Sequence, residues 1–158
     1  MGSASLAGRL ILIIEDQPLI ALDIAGELER AGATAICAHS VASAAPLVEH
    51  EKLSAAIVDF RLRDGDASAL CARLRSHCIP FVLHTGYEGE CDTHGSVAVI
   101  PKPAQLGAFV DALAAVLDQN SRQRCRSDRR SGAADHEEAL NDRGGMPGET
   151  ADAGTRAA

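Results

Sequence analysis

Short apolar runs recur along the first hundred residues of this 158-residue chain: Leu10–Ile14, Ala33–Ala38, Ala55–Asp59, Pro80–His84 and Val97–Ile100. Each is largely uninterrupted and partly β-branched, the pattern of strands covered on both faces rather than on one. The stretches between them carry helical spacing. Pro18 suits the first turn of a helix running to Arg30, with Leu19, Leu22, Ile24 and Leu28 as its expected apolar side and Gly32 as its stop. Ser40 is placed to cap a second helix through His50 that carries Val41, Leu47 and Val48. Asp66 or Ser68 starts a third through His77, with Leu70 and Leu74 on one face. From Ala104 to Leu117, Leu106, Phe109, Val110, Leu113, Val116 and Leu117 fall three and four apart, which predicts an amphipathic helix.

The order is therefore βα repeated five times, which calls for an open parallel sheet with right-handed crossovers and helices on both faces. The fourth unit is the weakest. Residues 86–96 include Gly86, Gly89 and Gly95, so the expected fourth helix has about two turns. Beyond Asn120 the pattern stops, with Leu140 and Met146 the only large aliphatics. Such a segment buries too little to offset its ordering entropy. The expected organisation is a flexible N-terminus over 1–8, one domain over 9–119 and a disordered tail over 120–158.

Composition narrows the function. Aromatic residues are 3% of the chain, with no Trp, which leaves almost nothing to stack nucleic-acid bases on. In the tail seven Arg balance seven Asp and Glu, so the net charge of −7 rests on the first 119 residues. An acidic body argues against direct nucleic-acid binding, because phosphates need cationic neutralisation. The five Cys include no C-x-x-C pair, which fits a reducing cytoplasm. No apolar run approaches the roughly 20 residues of a membrane span, and Glu15-Asp16 stops Leu10–Ile14 short of a signal sequence. A cytoplasmic location is expected.

In an open α/β sheet the ligand site lies beyond the carboxyl ends of the strands. Those ends carry Glu15 and Asp16 after the first run, Asp59 at the end of the third, Thr85 after the fourth and Lys102-Pro103 after the fifth. Three carboxylates converging on one rim repel one another unless a cation sits among them. Oxygen-only donors with room for water suit Mg²⁺, which often bridges to phosphate oxygens. Lys102 and Thr85 add a positive charge and a hydroxyl suited to a phosphoryl group. The blander alternative has Glu15-Asp16 capping the first helix and Lys102 pairing with one of them.

The motifs Ile-Ile-Glu-Asp-Gln-Pro (13–18), Ile-Val-Asp-Phe-Arg-Leu-Arg-Asp-Gly (57–65), His-Thr-Gly-Tyr (84–87) and Pro-Lys-Pro (101–103) resemble those of the receiver domain of bacterial two-component response regulators, over residues 9–118. The resemblance implies a flavodoxin-like (βα)5 sheet of strand order 2-1-3-4-5. It implies Asp59 as phosphoacceptor, Asp16 as a direct Mg²⁺ ligand, Glu15 as a ligand through water, the Arg61 carbonyl as backbone ligand, Thr85 as switch hydroxyl and Lys102 as phosphoryl contact. The expected function is a single-domain response regulator, a phosphorylation switch or phosphorelay carrier rather than an enzyme with a separate substrate. Its partner would be a histidine kinase or histidine phosphotransfer protein, with no membrane and no nucleic acid involved and room for a homodimer. The alternatives are a phosphorylation-independent interaction module and an Asp-dependent phosphatase. For haloacid-dehalogenase-like phosphatases, Arg61 stands where a second Asp is wanted.

Val99 occupies the position where most receivers carry an aromatic switch residue, while Tyr87 follows Thr85-Gly86. That segment resembles the Phe-Ala-Thr-Gly-Gly/Tyr signature of alphaproteobacterial "FAT GUY" receivers, with Leu83 and His84 in place of its first two residues, while Asp-Gly-Asp at 64–66 and Ile-Pro-Phe at 79–81 resemble receivers that work with HWE-type or related kinases. Since Val99 cannot make an aromatic swing, Tyr87 and the loop through Gly95 are read as the switch, against a static packing role. His77, Cys78, His84, Cys91 and His94 could suggest zinc, but a buried hydrophobic Cys is the simpler reading. The Arg-rich segment 122–130 reads as a solvated linker rather than a nucleic-acid contact.

Overall fold

The computed structural model describes residues 5–50, 52–86 and 98–134, with side chains described as far as Gln123. The elements are β1 (Leu10–Ile14), α1 (Pro18–Arg30), β2 (Thr34–Ala38), α2 (Val41–Val48), β3 (Ala55–Asp59), β4 (Arg61–Leu62), β5 (Gly65–Asp66), α3 (Ser68–Ser76), β6 (Phe81–Thr85), β7 (Ala98–Pro101) and α4 (Gly107–Ala134). Five strands form one parallel sheet in the order β2-β1-β3-β6-β7. With the two-residue hairpin β4/β5 set aside, this is the expected 2-1-3-4-5 order. The expected short fourth helix falls mostly on 87–97, outside the described residues.

Alternation along the strands builds two cores. Ile11, Ile13, Ala55, Ile57, Val82 and Ile100 face α1 and α4 and pack with Ile24, Leu28, Phe109 and Leu113. Leu12, Ile14, Ala56, Val58, Phe81 and Leu83 face the other way, onto Ala44, Val48, Leu70 and Leu74 of α2 and α3. The central strands β3 and β6 are buried at every position, and their polar residues, Asp59, His84 and Thr85, stand only at the carboxyl ends.

Helix α1 departs from the expected apolar side. Ala21, Ile24, Ala25 and Leu28 are buried, whereas Leu19 and Leu22 are 77% and 67% exposed. The spacing 21-24-25-28 is the true helical stripe, and the small alanines let α1 approach the sheet closely. Gly32 then ends the helix at φ +90°, and a Cβ there would lie 3.1 Å from the Cα of Ala7. Helix α2 starts as predicted: Ser40 accepts from the Ser43 N–H and Ser43 answers with its own hydroxyl, a capping box. Asp64 adds a second anchor by accepting from the N–H groups of Val41 and Ala42 at 2.9 and 3.1 Å. Helix α3 ends on Cys78, at φ 53°, with the N–H of Cys78 on Arg75 and that of Ile79 on Leu74. Cys78 is exposed, so the buried-hydrophobe reading fails for it.

Both ends of the domain extend further than the hydrophobic pattern. The apolar spacing of α4 ends at Leu117 but its backbone continues helical to Ala134, through Arg, Gln and Ala residues of good helix propensity. The first compact unit ends at Gln123. At the other end, Leu6 is 1% exposed in the α1/α4 core, and its N–H bonds the Ala31 carbonyl at 2.9 Å. A lone Leu in a Gly/Ser/Ala-rich start carries no periodic signal.

Leu6→Ala should therefore destabilise the chain by about 2 kcal/mol or more, the low end for a buried leucine because a terminal segment can relax. Urea unfolding of the two proteins measures it.

Candidate functional site

The alternation that builds the α1/α4 core runs on past the apolar residues. Ile11 and Ile13 lead to Glu15, Ala55 and Ile57 to Asp59, Val82 to His84, and Ile100 to Lys102, all on one face at the carboxyl ends of the strands. Glu15 is 1% exposed, and Asp59 and His84 are each 5%. Lys102 Nζ lies 2.6 Å from Asp59 Oδ2 and 3.7 Å from Glu15 Oε2. Asp59 Oδ1 accepts the Arg61 N–H at 3.1 Å, and Glu15 Oε1 accepts the Gln17 N–H at 3.2 Å. The backbone N–H of Lys102 bonds the Thr85 carbonyl at 3.0 Å, joining the last two strands beside the site. Thr85 is itself buried, on the adjoining strand end.

Glu15, Asp16 and Asp59 each offer a carboxylate oxygen, all within 4.8 Å of one another, and no other such His, Cys, Asp or Glu cluster occurs among the described residues. The zinc reading therefore finds no support in His77, Cys78 and His84, while Cys91 and His94 lie outside the described residues. His77 Nε2 instead faces Glu49 at 3.0 Å. The helix-capping alternative also fails. The N-cap of α1 is Gln17, which makes no side-chain cap bond, the first turn holds no acid, and the backbone N–H that Glu15 accepts is that of Gln17 itself. The other half of that alternative holds, since Lys102 is within ion-pair distance of Glu15 at 3.7 Å, beside its shorter pairing with Asp59 at 2.6 Å.

Two side chains beside the acids were not assigned to this cluster by the sequence reading. Arg63 Nε reaches to 3.4 Å from Asp16 Oδ2 from a largely exposed position. His84 Nδ1 lies 3.6 Å from Glu15 Oε2. His84 could have been found from strand parity, because it shares the alternation of Val82 and pairs in register with Asp59. Tyr87, read as the switch, lies outside the described residues, and Val99 is exposed on the edge strand β7.

Electrostatics separate the two buried acids. Burial pushes the Asp59 carboxyl up, and the Lys102 ammonium and Arg61 N–H do not fully offset it with Glu15 alongside, so it lies above the ordinary range. Burial also pushes Glu15 up, but the His84 ring, the Gln17 N–H and Lys102 outweigh it and hold that carboxyl below its usual value.

No protein-family model matches the chain, and no curated protein does. Among solved structures, a response regulator receiver protein from Sinorhizobium medicae WSM419 superposes with a TM-score of 0.66 at 21% identity, over 73% of this chain and 99% of that one. A CheY-like response regulator receiver domain protein from Methanospirillum hungatei JF-1 gives 0.65 at 20%, over 73% and 98%. The fold is that of a response regulator receiver domain. SdrG from Sphingomonas melonis Fr1 is 32% identical with a TM-score of 0.60, over 74% of this chain and 99% of that one. In this receiver fold the acidic cluster stands at the carboxyl ends of the central strands, where open α/β sheets hold ligands.

Neutralising Asp59 should stabilise the cation-free protein. Its raised native pKa means that the folded chain penalises the ionised form. That penalty is absent below about pH 4, the ordinary Asp range, grows as pH rises from there to the native value, and is constant above it. Asp59→Asn should melt above the parent chain at pH 7 without divalent cations, and the difference should vanish below about pH 4. At pH 7 Lys102 keeps Glu15 as a counter-charge in the variant. Thermal melts across that range measure it.

Proposed function

We propose that this chain is a single-domain response regulator that accepts a phosphoryl group on Asp59 from a histidine kinase or histidine phosphotransfer protein, with Mg²⁺ as cofactor. The observation that carries the reading is the buried Asp59, paired with Lys102 and flanked by two further carboxylates within 4.8 Å. A buried acid crowded by like charges is unfavourable in a resting protein and useful in one that binds a cation and a phosphoryl group. The donor set is hard oxygen only, which fits Mg²⁺. Asp16, Asp59 and the Arg61 carbonyl would hold it directly and Glu15 through water. When bound it supplies positive charge for the phosphoryl oxygens.

The protein's own residues then divide the work. An Asp59 carboxylate oxygen attacks the phosphorus of a phosphohistidine, the N–P bond breaks, and the imidazole leaves with the bonding pair. Lys102, held at this spot by β7, balances charge on the transferred group, and the Thr85 hydroxyl serves it as the switch contact. The product is an acyl phosphate that water hydrolyses, so the chain acts as a switch or relay carrier rather than on a separate substrate. Residues 9–119 carry this function, 120–158 form a tail apart from it, and Tyr87 belongs to the switch. The Thr85-Gly86-Tyr87 signature supports a FAT GUY receiver, and Asp-Gly-Asp at 64–66 with Ile-Pro-Phe at 79–81 supports an HWE-type or related kinase, acting in the cytoplasm. No helix among the described residues is long and apolar enough to cross a membrane.

Intact-mass spectrometry after incubation with acetyl phosphate and Mg²⁺ tests the reading. The parent chain should gain one phosphoryl group and Asp59→Asn none. No gain on the parent chain would indicate a constitutive binding module, and continuous phosphate release a phosphatase.

The metal and phosphoryl sides of the site should also separate. Asp16→Ala should abolish divalent-cation binding, because it removes a direct ligand and its charge. Lys102→Ala should spare or strengthen that binding while impairing phosphoryl transfer. Calorimetric Mg²⁺ titration beside the mass assay distinguishes them, and equal loss of metal in both variants would contradict the division.

A further inference from the structure

The phosphoacceptor reading gives no role to His84, although this residue is as buried as Asp59, each being 5% exposed. Strand register accounts for its place: His84 is the direct partner of Asp59 across the β3–β6 pair. Its ring stands edge-on to Phe109, with centroids 5.0 Å apart and planes at 85°, which sets the ring's orientation. Nδ1 then points to Glu15 Oε2 at 3.6 Å, with both side chains almost fully buried.

Neither nitrogen of the ring nor that carboxylate oxygen has a hydrogen-bond partner among the described residues. Buried polar groups left unpaired are costly, and the separation exceeds a normal N–H···O bond by only about half an ångström. Lys102 reaches Oε2 only at ion-pair distance, 3.7 Å, its hydrogen-bonded contact being Asp59 at 2.6 Å. The other oxygen of Glu15 is already taken by the Gln17 N–H. A carboxylate only accepts, so it selects the form of the ring that carries hydrogen on Nδ1.

We propose that His84 is a positioning residue for the acidic site: its Nδ1–H closes onto Glu15 Oε2 and fixes the orientation in which Glu15 serves a divalent cation. The nature of the cation rests on the phosphoacceptor reading, whereas the contact rests on local geometry alone. The groups that orient metal-binding carboxylates typically matter by about 10- to 100-fold in metal affinity.

Mn²⁺ binding to the full chain, read from the free-ion electron paramagnetic resonance signal, tests this apart from phosphorylation. His84→Leu keeps the bulk and removes the donor, and should weaken Mn²⁺ binding about tenfold. His84→Asn places an amide N–H near the position of Nδ1 and should restore most of the loss. His84→Gln sets that amide one methylene too far and should bind as weakly as the leucine variant. In a Glu15→Gln background, His84→Leu should make no further difference. Parent-like affinity in His84→Leu, equal weakness in His84→Asn, or an undiminished loss in the Glu15→Gln background would each overturn the proposal. Failure of the parent chain to take a phosphoryl group from acetyl phosphate would overturn the functional reading instead, and leaves the Mn²⁺ comparison standing.

Discussion

Three carboxylates share one end of a sheet whose centre is dry, and a single ammonium, that of Lys102, is paired with the most crowded of them. The architecture around the site answers to that arrangement. Asp59 needs a strand buried on both faces to carry it inward, and β3 is buried along its whole length. Lys102 needs to come from the far side, and β7 brings it there, with the Lys102 N–H on the Thr85 carbonyl fixing the approach. The unequal treatment of the two buried acids follows from the same geometry. Asp59 remains penalised for its charge despite the ion pair, while Glu15 is relieved by several weaker neighbours. A penalty concentrated on one carboxylate is what a site for an incoming cation and phosphoryl group requires.

Strand parity links the core to the chemistry. The side chains that face α1 and α4 are aliphatic in the middle of the sheet and become Glu15, Asp59, His84 and Lys102 at its carboxyl end. A one-residue slip in any of these strands would move a site residue to the opposite face and bury a hydrophobic one wrongly. Core packing and site geometry are thus specified together, and the rigidity of the first is inherited by the second.

The segment after Asp59 ties the site to the neighbouring helix. Arg61 donates its N–H to the Asp59 carboxylate, the hairpin β4/β5 turns through Arg63 and Asp64 with Gly65 at φ +147° opening β5, and Arg63 reaches back toward Asp16. Asp64, at the tip, accepts from the first N–H groups of α2. The loop that touches Asp59 therefore also secures the start of a helix whose buried face belongs to the α2/α3 core.

Much of this was legible without coordinates. Uninterrupted β-branched runs announce strands covered on both faces, glycine and proline mark where helices start and stop, and acids and a lysine at successive strand ends converge once the sheet is parallel. Those signals are local, or repeat with a fixed period, so the sequence alone carries the parallel α/β fold and the acidic cluster, while the strand order is implied by the resemblance to receiver domains. Other features depend on which surfaces meet. Leu19 and Leu22 look like core residues, yet the sheet takes Ala21, Ile24, Ala25 and Leu28 instead. Leu6 has no periodic neighbours and is buried because the chain end folds back beside Ala31. The pairing of His84 with Glu15 joins residues distant in the chain through the register of three strands. No composition or spacing rule reaches that far, because burial and contact are properties of packed faces, and those exist only once the chain has folded.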